Sequence, residues 1–401
     1  MKSRTVLLAT TLFISILLTL SFSPVSAKGV RGVTADTIKI GITTDLTGPV
    51  VTLGRPYSEG VKNYLRYVND QGGIHNRKFK FIIADDRYNV ALCIAAFKKL
   101  AYKDRVFSHF MLSQTAAIKA LFDDIEKARI ITFPMPQGEA MVQPIKRHIF
   151  VPVASYEDHI KVDVDYIMND LKAKNPRIAF VSPDTEAARA DLAGLMDRVK
   201  LYNLPPIRRE IVAMGSIEAA SQILSLKRYK PDYVILGPTG AAVGGLVLRE
   251  ARKYGFSPSG FLGEYSNCED VVVDMAKKAA KNYYASHTFN AWLDDTPGMR
   301  ELRKITLKYQ PDTKSKIRFY VHGWTEAMLL VEGLKRTGRD LTTERLVDAL
   351  ESINDFRTGL TGAISFSPQN HRGGSYLRIF KADIEKVRMM PVTGWRKPVS
   401  K

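Results

Sequence analysis

Short runs of β-branched and aromatic residues alternate with amphipathic helical stretches along most of this chain, and that rhythm starts twice. The spacing predicts a strand over 37–43, broken at Thr47, Gly48 and Pro49. A helix over 57–68 follows, with Val61, Tyr64, Leu65 and Val68 on one face, and it stops at Gln71, Gly72 and Gly73. A strand over 79–84 and a helix over 90–102 come next, then a strand over 106–112, a helix over 115–127 and a strand over 130–133 closed by Pro134 and Pro136. After 148–153 the pattern restarts: helix 157–172, strand 177–182, helix 186–201, strand 210–214, helix 218–226, strand 232–236 and helix 243–254. Strands separated by helices of this length form βαβ units, whose parallel sheets are covered on both faces. Two runs in 401 residues predict two α/β lobes. The last third differs, with helices near 298–309, 319–337 and 343–350, then two paired strands over 359–366 and 374–380 around a turn at 367–370.

The first 27 residues stand apart from this pattern. Lys2 and Arg4 precede an apolar run over 6–20, and small residues at Val25 and Ala27 mark a cleavage site after Ala27. That is a secretory leader, too short in its apolar part for a spanning anchor. Its removal takes the formal charge from +18 to +16. The basic residues interleave with acids and form no aromatic-basic stripe, so nucleic acid is not an expected partner. Export permits disulfides, yet Cys93 lies in an apolar helical stretch and Cys268 far away in a polar turn, and both are expected to be unpaired.

Catalytic and metal chemistry find little support. The seven histidines are scattered, with no pair at ligand spacing on one helix. Neither a Gly-x-Ser-x-Gly elbow nor a phosphate loop ending in Gly-Lys-Ser/Thr is present. Gly237, Gly240, Gly244 and Gly245 sit between a strand and a helix without dinucleotide spacing, and no cofactor is expected. In parallel-sheet lobes, ligands collect past the carboxyl ends of strands. The stretches there are 47–57, 112–115, 133–137, 182–188, 237–241 and 263–266. They offer hydroxyls, amides, helix starts and one acid, but no nucleophile beside a base, which describes a binding site.

On these residues the chain resembles type I periplasmic substrate-binding proteins of the branched-chain amino-acid (leucine/isoleucine/valine-binding) family, which serve ABC transporters. The resemblance rests on Ile38 to Ile42 with Leu46 to Pro49 and Gly54, Asn69 to Ile74 followed by Ala84 to Asp86, and Ser113 ahead of Pro134. It continues through Asp232 to Val234, Leu248 to Gly255, Gly263 with Glu264, Leu334 to Gly338, and Phe356 to Gly362 with Ile364 to Pro368. The resemblance implies a type I periplasmic-binding-protein fold: two doubly wound parallel-sheet lobes joined by a three-strand hinge. Crossings are expected near 150–155, 283–290 and 357–362. They divide the chain into a leader (1–27), a first lobe (28–153 and 286–357) and a second lobe (154–285 and 358–401).

By the same resemblance, Ser113 or Gln114, with Gln137 near a second hydroxyl position, takes an α-carboxylate, and Glu264 takes an ammonium. Leu53 stands where an aromatic often covers the ligand. Two tyrosines usual on the second-lobe face are replaced by the stretches 185–187 and 238–240, and Tyr88 occupies one place of a disulfide this chain lacks. The candidate ligand-binding set is Leu53, Tyr57, Ser113, Gln114, Thr115, Met135, Gln137, Thr185, Thr239, Glu264, Tyr265 and Tyr320. These departures favour a bulkier or less polar organic acid than leucine. The function implied is that of a monomeric periplasmic protein, with no enzyme activity, that captures a small amino acid or related organic acid and delivers it to a membrane ABC permease. A ligand-presenting sensor and a secreted α/β enzyme are the alternatives.

Overall fold

The computed structural model describes residues 29–400, so the leader and its cleavage site lie outside the described residues. The first sheet has four parallel strands in the order β2-β1-β3-β4: β1 (Thr37–Thr44), β2 (Lys78–Asp85), β3 (Ser108–Met111) and β4 (Ile131–Pro134). Ile38, Ile40 and Ile42 of β1 are all buried, as a central strand covered on both faces requires. β2 lies at the edge and exposes Lys78 and Lys80.

Helices α1 (Val51–Asp70), α2 (Val90–Lys98), α3 (Thr115–Ala120) and α4 (Phe122–Ala128) follow their strands in turn. The three late helices, α10 (Pro297–Tyr309), α11 (Arg318–Thr337) and α12 (Thr343–Glu351), return to this lobe. α1 and α11 approach so closely that each needs a glycine at the contact. A Cβ on Gly60 would lie 2.1 Å from the Tyr320 carbonyl oxygen, and one on Gly323 would lie 2.2 Å from that of Tyr57.

The second sheet has seven strands in the order β11-β10-β9-β8-β7-β5-β6. β5 (Ile178–Ser182), β6 (Arg208–Ile211), β7 (Tyr233–Leu236), β8 (Gly260–Gly263) and β9 (Tyr283–His287) are parallel. The antiparallel pair β10 (Arg378–Asp383) and β11 (Arg388–Pro391) completes the edge beside β9. Its helices are α5 (Tyr156–Asn169), α6 (Glu186–Leu201), α7 (Ala220–Tyr229), α8 (Gly240–Lys253) and α9 (Asp270–Ala276).

Three readings of the sequence are corrected. α1 starts at Val51, ahead of the expected 57, because the Asp45 carboxylate collects the N–H groups of Thr47 (3.1 Å) and Val50 (2.7 Å) and organises the turn into the helix. The stretch read as one helix over 115–127 is two, divided at Leu121. The paired strands expected over 359–366 and 374–380 are instead isolated bridges, and the true hairpin is β10 with β11, the latter unforeseen.

The chain passes between the lobes in neighbouring segments. Thr288–Asn290 runs beside 360–361, with Asn290 N–H donating to Leu360 (2.8 Å), and Val151 exchanges backbone hydrogen bonds with His371 (3.0 Å) and Gly373 (2.8 Å). Past 362 the chain still touches the first lobe, where Ile364 and Phe366 are buried, and it joins the second sheet only at β10.

Candidate functional site

The strand carboxyl ends of both sheets face one another across a cavity of about 560 Å³, within the usual range of roughly 300–1,000 Å³ for small-molecule sites. The first lobe contributes Pro49, Val50 and Leu53 from the start of α1, Tyr88 past β2, Leu112 to Ala116 past β3, and Met135 past β4. From the second lobe come Tyr156 at the start of α5, Pro183 to Ala187 and Arg189 past β5, Ile211, Ala213 and Met214 past β6, Pro238 and Gly240 past β7, and Tyr265 and Ser266 past β8. The walls are largely aliphatic and aromatic, with hydroxyls set among them.

Seven of the twelve sequence-based candidates line this cavity: Leu53, Ser113, Gln114, Thr115, Met135, Thr185 and Tyr265. Ser113 is buried, with its hydroxyl beside the Asp86 carboxyl and the Cys93 thiol. Gln114 is engaged, since its side-chain amide donates to the Tyr88 carbonyl and fixes that residue in the wall. Thr185 caps α6 by accepting from Ala188 N–H at 3.2 Å. Tyr265 stacks on Tyr156 with centroids 5.5 Å apart and planes at 20°. Burial raises the hydroxyl pKa of Tyr265 well above the usual 10 and that of Tyr88 to about 12, so both are neutral donors.

Three more candidates stand just behind the wall. Glu264 is fully buried; its Oε1 accepts from Ser266 N–H (2.9 Å), from the Ser266 hydroxyl and from Asn267 Nδ2 (3.2 Å), while Oε2 has no partner. Burial pushes this carboxyl up to about 8. Thr239 hydrogen-bonds Asn267 Oδ1 at 3.0 Å. Gln137 has its backbone carbonyl held by Arg372 (2.8 Å), with its side-chain Oε1 left unpartnered.

The remaining two candidates are turned away from the cavity. Tyr57 lies on the inner face of α1 with Val61 and Leu65, where its hydroxyl donates to Glu326 Oε2 at 2.5 Å. Tyr320 fills the α1–α10–α11 junction, bonded to Asn63 (3.1 Å) and Thr306 (2.7 Å). Both positions follow the helical period of buried residues, which places them in the lobe interior.

Residues the sequence reading missed are Tyr88, Ala116, Tyr156, Arg189, Ile211, Ala213 and Met214. Placing β6 over 210–214 instead of 208–211 hid the stretch past its end. Tyr156 was concealed by its place in the first crossing, although the Ser155 side chain accepts from Asp158 N–H at 3.0 Å and so marks the start of α5. At the mouth, Lys119 of α3 and Glu186 of α6 form an ion pair of 2.9 Å that joins the two lobes. Arg189 is taken up by Asp184 (2.7 Å) and Glu186 (3.1 Å).

Among the described residues no group of three or more histidine, cysteine or acidic side chains is placed to hold a metal ion, and no helix is long and apolar enough to cross a membrane. Cys93 and Cys268 are both buried and free.

A family model described as a periplasmic binding protein matches residues 37–386. The chain belongs to that family. It is accordingly a solute-binding protein, and the family places it in the periplasm and in the context of ABC transport. The "Leu/Ile/Val-binding protein homolog 3" of Brucella melitensis is 19% identical over 87% of this chain and 92% of its own length. A branched-chain amino-acid ABC transporter protein from Thermus thermophilus, solved with bound valine, superposes with a TM-score of 0.84 at 23% identity, covering 91% of this chain and 97% of that one. A fatty-acid ABC transporter substrate-binding protein from Thermomonospora curvata gives 0.82 at 22% identity, covering 92% and 95%.

Proposed function

We propose that this protein captures an amino acid or related organic acid bearing a bulky apolar group, and hands it to an ABC permease. The observation that carries this reading is the cavity between the lobes. Its aliphatic and aromatic walls enclose a buried hydroxyl, Ser113 Oγ, and behind the wall stands Glu264 Oε2, which no described protein group satisfies. A buried polar atom without a partner costs about 1–3 kcal/mol, which a ligand's polar end would relieve. Named ligands of similar proteins, valine and a fatty acid, bracket this class.

In this reading Ser113 and Thr115 meet the ligand's acid end, and Tyr88, Tyr156 and Tyr265 supply hydroxyls and aromatic faces. Leu53, Met135, Ile211 and Met214 enclose the apolar group, and Glu264 meets an ammonium where the ligand carries one. The two lobes close on the ligand about the three crossings. The protein works as a monomer, and the leader is removed after Ala27, so N-terminal sequencing of exported material should begin at Lys28.

The test is a thermal-shift screen of ligand-stripped protein against amino acids, aromatic and aliphatic carboxylates, amides and polyols. A ligand present well above its Kd raises stability by mass action, so one chemical class should shift the transition by several degrees. With an α-amino acid ligand, Glu264→Gln should weaken binding by about 1–3 kcal/mol in calorimetry. Stabilisation by polyols alone would overturn the reading.

A further inference from the structure

The second lobe carries a groove of about 400 Å³ at the pole opposite the cleft. Its position follows from the topology: Ser257 and Pro258 precede β8 and Asn282 precedes β9, so the groove lies at the amino ends of strands whose carboxyl ends form the cleft wall. Arg252, Lys278 and Lys281 line it, and no acidic residue does. All three are exposed, and none forms an ion pair with another of the described residues. Leu248, Phe256, Pro258 and Phe261 make its buried floor.

Several cations on the first lobe are taken up by acids, while Lys78, Lys80 and Lys103 stand exposed without an ion pair to any described residue and are not gathered around a groove. Lys98 lies 3.9 Å from Asp124, Lys99 2.7 Å from Asp104, Lys308 2.7 Å from Asp70, and Arg336 2.8 Å from Glu332. The free charge at the second-lobe pole also continues sideways to Arg228 and Lys230 at the end of α7, whose Lys227 reaches across to the Tyr254 carbonyl at 2.8 Å.

We propose that this pole docks on an anionic membrane surface, through the phosphate-bearing headgroups of its lipids. The cations come from separate chain segments and spread over a face, which matches a planar array of headgroups better than a single ion. The chain's charge of +18, or +16 without Lys2 and Arg4, adds long-range attraction to such a surface. Docked there, the protein is held beside its membrane partner with the cleft at the far end of the lobe, and this holds whatever the cleft binds.

The experiment uses exported, processed protein with vesicles of phosphatidylcholine, with and without phosphatidylglycerol. Sedimentation should show binding only to the anionic vesicles, weakening as salt rises. R252Q/K278Q/K281Q should lose about ten-fold or more of that binding, since each basic residue near such a surface contributes about a factor of five. K78Q/K80Q/K103Q, which removes as much charge from the first lobe, should lose much less, and both variants should keep the wild-type melting temperature. Equal losses would reduce the effect to net charge and overturn the groove. Competition by dilute inorganic phosphate would make it a phosphate site instead, and tighter binding of a polyglutamate peptide than of anionic vesicles would reassign the face to an acidic protein.

Discussion

The buried acids of the two lobes differ in partnership: each one in the first lobe has a donor on at least one oxygen, even where the other stays open as at Glu326 Oε1 and Asp86 Oδ2, whereas Asp191 of the second lobe has none. In the first, Glu326 is fully buried but accepts from the Tyr57 hydroxyl at 2.5 Å, and His322 Nε2 lies 3.2 Å away, out of line for a hydrogen bond. In the second, Asp191 is fully buried with neither oxygen hydrogen-bonded, Asp163 has only the Ser286 hydroxyl beside it, and Glu264 leaves Oε2 open. Electrostatic coupling links Asp191 to Glu264, Glu157 and Asp163, and burial raises Asp163 and Asp191 well above the usual carboxylate range. The contrast is not one of lobe composition. On α5 itself, Asp165 meets Arg198 at 2.8 Å, two positions from the unpaired Asp163. The partnered acids hold helices together, whereas those with few or no partners gather behind the cleft wall, where a ligand's arrival could change their surroundings.

Breaking the first lobe's pair should have the largest effect. Tyr57→Phe strips Glu326 of its only well-aligned donor, and should cost about 1–3 kcal/mol of unfolding free energy in urea titrations. A loss below a few tenths would mean the two lobes do not differ in this respect. Asp191→Asn has no native hydrogen bond to break. At pH 8 it should stabilise by about 1 kcal/mol or more, because the amide removes a buried acid that resists ionisation, and the gain should shrink as pH falls toward the unfolded value of 3.8.

The pH dependence of wild-type stability sharpens the same comparison. Glu264 ionises near 4.5 when unfolded and near 8 when folded, so the folded state holds the extra proton between those values. Its contribution is therefore complete below about 4.5 and is lost as pH rises toward 8, and Asp163 and Asp191 act in the same direction. The buried imidazoles of His109 and His159 work the other way. Burial lowers both from 6.5 to about 3, so their contribution is present above 6.5 and is lost as pH falls. Melting temperature should thus decline from pH 6.5 to 8 and also below 4.5, with Glu264→Gln flattening the alkaline side. A flat profile between 6.5 and 8 would show that the second-lobe acids are ionised and paired.

The fold was legible because its determinants are local. Alternating patterns such as Ile38, Ile40, Ile42 and helical ones such as Val61, Leu65, Val68 each report burial without any distant partner. The cleft was legible where the rule of strand carboxyl ends met a correctly placed strand, as at Ser113 past β3 and Tyr265 past β8. It failed where register or direction mattered. Three residues of error at the end of β6 concealed Met214. Nothing in the local pattern around Tyr57 or Tyr320 says that α11 crosses α1 at Gly60 and Gly323, a contact between segments more than two hundred residues apart that turns both tyrosines inward. The pairing of β10 with β11 was lost for a related reason, since Asp383 to Lys386 reads as a polar stretch until the β9 edge supplies a partner.

The smallest expected effect lies where the lobes touch. The Lys119–Glu186 pair spans the mouth of the cleft with side chains 41% and 32% exposed, so solvent screens it and it adds less than about 1 kcal/mol to stability. Its effect should appear in kinetics instead. Opening the cleft breaks this contact, and the pair is worth so little to the folded state that Lys119→Ala should leave the melting temperature within a degree or so. It should speed ligand release by about two- to five-fold, the equivalent of up to 1 kcal/mol, in stopped-flow displacement. Because the pair is exposed, raising salt should speed release from the wild type and leave the variant nearly unchanged. Equal salt dependence in both proteins would mean that the mouth is held by the apolar walls alone, with the difference between the lobes confined to their interiors.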